Sequence, residues 1–568
     1  MATYYVDGVG GNDSTGNGTS GNPWKTLGKG YAMLNAGDTL RARTATYREQ
    51  MSITKNGVTI ENDAGHTPTI DGNYSAALFG AAGYTDANGA QIGAHELPGL
   101  TTANKNRGNW VISGVWSTIV TVGEGSNITL RGFHIRNVAG RALAVGGTNN
   151  TVEDLRIDFT YGGAMQMGGT GCVMRNCIIT RSSMKYFDPT RDGSGGQKVQ
   201  ATAIIKGTPA TVEGCTICYN FGEGLACDQK SRGLILRYNT QHTNNHWSLG
   251  INESHGHRIY GNTLFWCWNL GTEMERPDKP ADLFTISSEV DDPPYDVTDN
   301  AIYNNLFVGG DTCLTVAGGT SKRRVRMINT YFGYNTFVGR PETGAVVYMG
   351  VISGQPHNKL LFENNLIWKH ANGNNVATLQ SGLSANTSTF RNNVSNGALP
   401  GLMSGTDSIV IGAAASIMAN PTANFIGTLD RESTSLPDVT TTFNPANYDL
   451  SPDAAAIGRA SNRSASAGVT PPVITIDRYK AARPDQNPGI DPDPAIIHDI
   501  RSRWLPAAHP GGQPVIAVID DTCAFLNRAF RSGEGTRFLA LWDQTEGDDA
   551  LKRGAAPAEF GYGRELRS

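Results

Sequence analysis

Short runs of alternating apolar and polar residues recur along most of the chain, broken by Gly or Asn. The stretches LRGFHIRN, VEDLRIDF, MRNCIITR, VEGCTICY, LRYNTQHT, IYGNTLFW, IYNNLFVG, FGYNTFVG, FENNLIWK and FRNNVSNG align without gaps. Their fourth residues are Phe133, Leu155, Cys177, Cys215, Asn239, Asn262, Asn305, Asn335, Asn365 and Asn393. Successive spacings are 22, 22, 38, 24, 23, 43, 30, 30 and 28 residues. Alternation with a period of two marks strands, and units this short leave no room for intervening helices. A unit of about 22 residues with turn residues between its strands is one coil of a solenoid, so ten aligned units predict an all-β parallel β-helix. A leucine-rich repeat has a comparable period, but its fixed Leu pattern is missing. Stacked coils lie about 4.8 Å apart. The positions from Asn239 to Asn393 therefore read as an inward asparagine ladder, its amides hydrogen-bonded along the axis as buried polar groups require.

A second strand follows each ladder strand: RALAVGG, GAMQMGG, ATAIIKG, EGLACDQ, WSLGINE, DLFTISS. The 38-residue spacing holds an insertion, SMKYFDPTRDGSGGQKVQ, before ATAIIKG. The 43-residue spacing holds another within NLGTEMERPDKPADLFTISSEVDDPPYD. Insertions leave a solenoid as loops on one face, often the binding face. Two raised walls are thus expected to flank a floor two rungs wide, on the order of 10–15 Å. Strict alternation puts Leu225, Cys227, Leu249 and Ile251 inward, and Gly224, Ala226, Asp228, Ser248, Gly250 and Asn252 outward.

That floor collects the candidate chemistry. Glu223, Asp228, Lys230, His242, His246 and Glu253 are the candidate catalytic groups, and Trp247, Asn252, Gln166, Lys206 and Arg191 the candidate substrate contacts. Acids, bases and an exposed aromatic are what cleavage of a sugar polymer needs, one moving protons and the other stacking on a ring. Each has a bland alternative. Glu223 could cap its turn, Asp228 and Lys230 could be a surface ion pair, Trp247 could pack at a corner, and Glu253 could be solvated. Two His four apart ligate metal on a helix, and this stretch is not helical. A calcium site at Asp291, Asp292 and Asp296 competes with a plain solvated loop. A lyase would use Lys230, Lys206 or His242 as base, with Arg191, Lys198 or calcium neutralising a uronate. A hydrolase would pair Glu223 with Asp228 or Glu253.

Composition narrows the class. Over 568 residues the formal net charge is −4 and 17% of residues are charged, so no basic stripe suggests nucleic acid. No apolar run is long enough for a membrane span. The start, MATYYVDGVGG, has neither a charged n-region nor an apolar h-region, which points away from a Sec signal. The expected location is extracellular or on a virion by another route, with the cytoplasm as the alternative. Eight cysteines show no zinc-like pairing and read as small buried hydrophobes.

The segment YYVDGVGGNDSTGNGTSGNPWKTLGKGYAMLNAGDTLRARTATYRE resembles the N-terminal entry of right-handed parallel β-helix proteins of the pectate-lyase-like superfamily. PWKTLGKGYAML would be a short helix capping the open end of the solenoid. The resemblance covers roughly residues 3–400 and implies a fold shared by lyases, hydrolases, epimerases, adhesins and phage tailspikes. The function expected is that of a polysaccharide-binding, polysaccharide-degrading protein of a phage tail or cell surface, acting on an anionic glycan. A structural or adhesin solenoid is the alternative. Tailspike-like proteins would be homotrimers. No motif matches a pectate-lyase-like site residue by residue, so none is carried over.

The expected domains are a cap and first coils (1–75), the β-helix (76–405), imperfect terminal coils (406–470), a linker (471–513) and a short α/β fragment (514–568). In the last, PVIAVIDDTCAFLNRAFRSGEGTRFLALWDQ resembles the opening of a subtilisin-like serine peptidase, whose catalytic Asp would map to Asp520. The family's base and nucleophile have no counterpart downstream: no His follows His509. Proteolysis by this chain is therefore not expected, and the remaining reading is a targeting arm of a truncated peptidase.

Overall fold

The computed structural model describes residues 1–72, 118–138, 140–160, 162–183, 201–228, 231–270, 281–288, 296–317, 324–341, 344–370, 375–381, 383, 387–405, 407–411, 418–429 and 439–449, together with the backbone of 531–532, 535–536, 540–543 and 564–567. The chain falls into two units, 1–495 and 496–568. In the second unit the described strands form two antiparallel pairs, Arg531–Ser532 with Gly535–Thr536 and Ala540–Asp543 with Arg564–Arg567.

The first unit is an all-β parallel β-helix. Each coil contributes one strand to each of three parallel sheets, in a fixed order. In one coil these are Ile235–Arg237 in the first sheet, Thr240–His242 in the second and Trp247–Asn252 in the third. Strands within the stack pair in register with their equivalents one coil earlier and later, as Leu236 does with Val212 and Ile259. The turn from first to second sheet is short because one residue takes the left-handed conformation, as Asn176 (φ 54°), Asn304 (φ 56°) and Asn364 (φ 56°) do. Asparagine tolerates that region by bonding locally. No helix among the described residues is long and apolar enough to cross a membrane.

The asparagine ladder stands where the repeat places it. Nδ2 of Asn239, Asn262, Asn305, Asn335 and Asn365 donates to Oδ1 of the next, at 3.0, 2.9, 3.0, 3.1 and 3.2 Å. Above it Cys215 and Cys177 continue the column, and the Cys177 N–H meets Cys215 Sγ at 3.4 Å. Inside, rings from all three sheets meet in a chain: Phe284, Phe307, Phe337, Phe362 and Phe390 lie with successive centroids 5.0–6.2 Å apart. Each ring buries the large apolar area that makes a coil stick to its neighbours. Seven cysteines are buried free thiols, and Cys523 lies outside the described residues.

The entry of the solenoid is closed by the helix Leu27–Met33. Its first N–H groups are taken by Thr26 Oγ1 and by both carboxylate oxygens of Glu49, and the carbonyls of Tyr31, Ala32 and Leu34 accept from Lys55 Nζ at 2.9, 2.9 and 2.7 Å. Opposite charges thus sit at the two ends of the helix dipole in the favourable sense. At the other end, Ile409–Val410 adds a last strand to the second sheet. The chain then returns as an antiparallel pair, Gly427–Leu429 with Val439–Thr441, on the outside of the second sheet. Phe443 stacks on Phe265 at 3.9 Å, and Asn269 bonds the backbone N–H and C=O of Gly427.

Candidate functional site

The third sheet bends where its strands enter from the second sheet, and the bend changes which residues face out. Ala201 pairs with Glu223 and Ala203 with Leu225, Leu225 pairs with Leu249, and Trp247 pairs with Asp282. A methyl group on Gly250 would come within 3.0 Å of Trp247 Nε1, so Trp247 and Gly250 share the outer face. On Gly224 it would meet Gln241 Oε1, Asn244 Nδ2 and the Ser248 carbonyl, all buried at the corner. The expectation that Gly224 and Ser248 point outward is therefore corrected. Two consecutive residues turn inward at the bend, which carries Glu223 and Trp247 out.

Three outward rows result, read across successive rungs. The first contains Glu223, Trp247 and Asp282; the second Gln166, Ile204, Ala226, Gly250, Thr285 and Thr315; the third Lys206, Asp228, Asn252 and Ser287. In the first row His246 Nδ1 lies 3.2 Å from Glu223 Oε1, and the His246 and Trp247 rings are 4.3 Å apart. Thr315 Oγ1 donates to Asp282 Oδ2 at 3.1 Å. In the third row Asn252 Nδ2 donates to Asp228 Oδ1 at 3.2 Å, and Lys206 Nζ stands 4.0 Å from Asp228 Oδ2.

Glu223, His246, Trp247, Gln166, Lys206, Asp228 and Asn252 thus gather on one face. Other candidates do not. His242 belongs to the second sheet, where it stacks on Phe265 at 4.5 Å and touches Thr243 Oγ1. Burial pushes its imidazole down to about 3, so it is a neutral packing group rather than a base for this face. His242 and His246 therefore lie on different sides of a corner. Trp247 is not an exposed platform: it is 5% exposed, and its indole Nε1 edge lies close over Gly250. Glu253 sits in the following turn in a left-handed conformation (φ 48°). Asp228 stands five residues along the strand from Glu223, about 16 Å at 3.3 Å per residue. That exceeds the separation of a glycosidase carboxylate pair, about 5–9.5 Å. The Asp296 carboxylate is engaged by Arg326, through Nε at 2.7 Å and Nη2 at 2.8 Å, an arrangement that competes with calcium. Lys230, Arg191, Lys198, Asp291, Asp292 and Asp520 lie outside the described residues, as do most of both insertions.

Asp282 and Thr315 were missed. The signal was present: DLFTISS aligns with EGLACDQ and WSLGINE, and its first residue falls in the column of Glu223 and Trp247. Strict alternation hid it, because counting from the inward Phe284 assigns only every second residue and ignores the bend.

A family model described as "Right handed beta helix region" matches residues 118–273, which include the rungs of Glu223 and Trp247. No curated protein matches the chain. Solved structures of similar course include XylC in complex with xylose (12% identical, 86% of this chain and 98% of that chain covered, TM-score 0.48). Others are the A-module of the Azotobacter vinelandii mannuronan C-5 epimerase AlgE6 (12% identical, 68% and 90% covered, TM-score 0.43) and the Dettilon tailspike protein gp208 (11% identical, 75% and 72% covered, TM-score 0.45).

Proposed function

We propose that the outer face of the third sheet is a carbohydrate cleft and that the chain binds and degrades a polysaccharide, with an anionic glycan as the preferred class. The observation that supports this is the first row: two carboxylates, Glu223 and Asp282, flank Trp247 on three successive rungs of one outward face. Sugar cleavage needs groups that move protons and an apolar surface for a ring. Lys206 and Asn252, one edge over, supply polar contacts for a charged sugar. A binding solenoid without catalysis is the competing reading, in which the same row of polar groups holds a glycan without cleaving it.

Incubation with polygalacturonate, alginate, xylan and dextran separates the two. Degradation predicts new reducing ends from at least one polymer, accompanied by ultraviolet absorbance if the product is an unsaturated uronate. Retention of a polymer without either product supports binding alone, and neither retention nor product from any of the four would sink both.

A further inference from the structure

Adjacent rungs of a parallel sheet are about 4.8 Å apart, and rungs two apart about 9.6 Å. These spacings fall near the two carboxylate separations used in glycoside hydrolysis, about 5–5.5 Å when configuration is retained and about 6.5–9.5 Å when it is inverted. Glu223 and Asp282 are two rungs apart in one outward row, with Trp247 on the rung between. At two rungs the pair stands nearer the wider, inverting separation than the retaining one.

The environments of the two acids differ. Asp282 accepts the Thr315 hydroxyl at 3.1 Å, a bond that favours the charged carboxylate. Glu223 is 10% exposed along its side chain, and its Oε1 lies 3.2 Å from His246 Nδ1, a titratable partner through which a proton can reach the carboxyl. Resting on the carbohydrate-cleft reading, we propose that Glu223 and Asp282 are the catalytic pair of an inverting glycoside hydrolase, with Glu223 the acid and Asp282 the base. The Glu223 carboxyl gives its proton to the bridging oxygen as the anomeric C–O bond breaks. A water on the opposite face of the sugar attacks the anomeric carbon, and its proton passes to the Asp282 carboxylate. Water enters as the second substrate, so no oxidant, reductant or further reactant is required. Proton exchange with solvent then returns the acid and the base to their starting states. Thr315 acts through Asp282 as a positioning residue.

The test is proton NMR of the first-formed reducing ends from the same four polymers, run with wild type, Glu223→Gln, Asp282→Asn and Thr315→Val. Folding of each variant is checked by circular dichroism. The expected result is product of opposite anomeric configuration to the substrate linkage, roughly 1000-fold loss of turnover in the first two variants with polymer retention kept, and a lower kcat at similar KM for Thr315→Val. A retained anomer, an unsaturated product, or full activity in folded Asp282→Asn overturns the inverting pair while leaving a glycan-degrading cleft in place. Retention of a polymer with no cleavage overturns the pair and leaves only binding. Neither retention nor cleavage overturns the cleft itself.

Discussion

Asn262 meets Asn305 twice: its Nδ2 donates to Asn305 Oδ1 at 2.9 Å and its backbone N–H donates to the same oxygen at 3.0 Å. Asn305 in turn donates to Asn335 Oδ1 and to the Ile259 carbonyl. One amide therefore serves three coils, in a core where water cannot replace it. Asn305→Ala strands the Asn262 N–H and removes bonds from two carbonyl oxygens. The expected cost is about 3 kcal/mol, each orphaned buried group contributing about 1–3. Urea unfolding followed by far-UV circular dichroism measures it, and an unchanged midpoint would show that the ladder is dispensable.

The end cap makes a separate prediction. Lys55 closes the last turn of the Leu27–Met33 helix by reaching three carbonyls. Lys55→Met keeps the apolar stem over Tyr31 and removes the charge, so the loss isolates the cap itself. The expected destabilisation is about 1–2 kcal/mol. Native-state hydrogen exchange should show faster exchange confined to the helix and the strands around it.

Acid should weaken the solenoid in two stages. His242 and His257 are buried neutral with imidazoles held down to about 3, and His357 to about 4. In the unfolded chain each would protonate near 6.5. Between those values the unfolded state binds the proton and the folded state does not, so stability is full above about pH 6.5 and falls as pH drops. The slope is about 1.4 kcal/mol per pH unit for each imidazole in its window. Asp158, between His134, Arg156 and Arg181, is held down to about 2, so its share is present above about 3.8 and is lost below that. His242→Phe, which keeps the stack on Phe265, should make the pH dependence of the urea midpoint shallower between pH 6.5 and 4. An identical slope would contradict the assignment of His242 as a buried neutral group.

Much of the fold was legible because a solenoid writes each structural constraint ten times. The ladder from Asn239 to Asn393 could be read from spacing alone, since only stacked coils bring those residues to one column. The site was legible in part. The long spacings drew attention to rungs on which Glu223, His246, Lys206, Asp228 and Asn252 share a face. What failed was the fine register. A strand that bends turns two neighbours inward, which hid Asp282 and misplaced Gly224 and Ser248. Nor does a turn between two sheets show in a sequence window, which is why His242, only four residues from His246, was assigned to a face it does not reach. The exposure of Trp247 was equally invisible, because Gly250 reads as an open floor until the indole is seen lying on it.

The most direct test of the carbohydrate cleft is affinity electrophoresis in gels cast with polygalacturonate, alginate, xylan or dextran, comparing wild type, Trp247→Ala and Arg237→Ala. Arg237 lies on the first sheet, paired with Glu213 at 2.6 Å, and serves as the control for an unrelated face. At least one polymer should retard wild type and Arg237→Ala alike and fail to retard Trp247→Ala. Equal retardation of all three proteins, or retardation lost only in Arg237→Ala, would place glycan binding elsewhere and contradict the account.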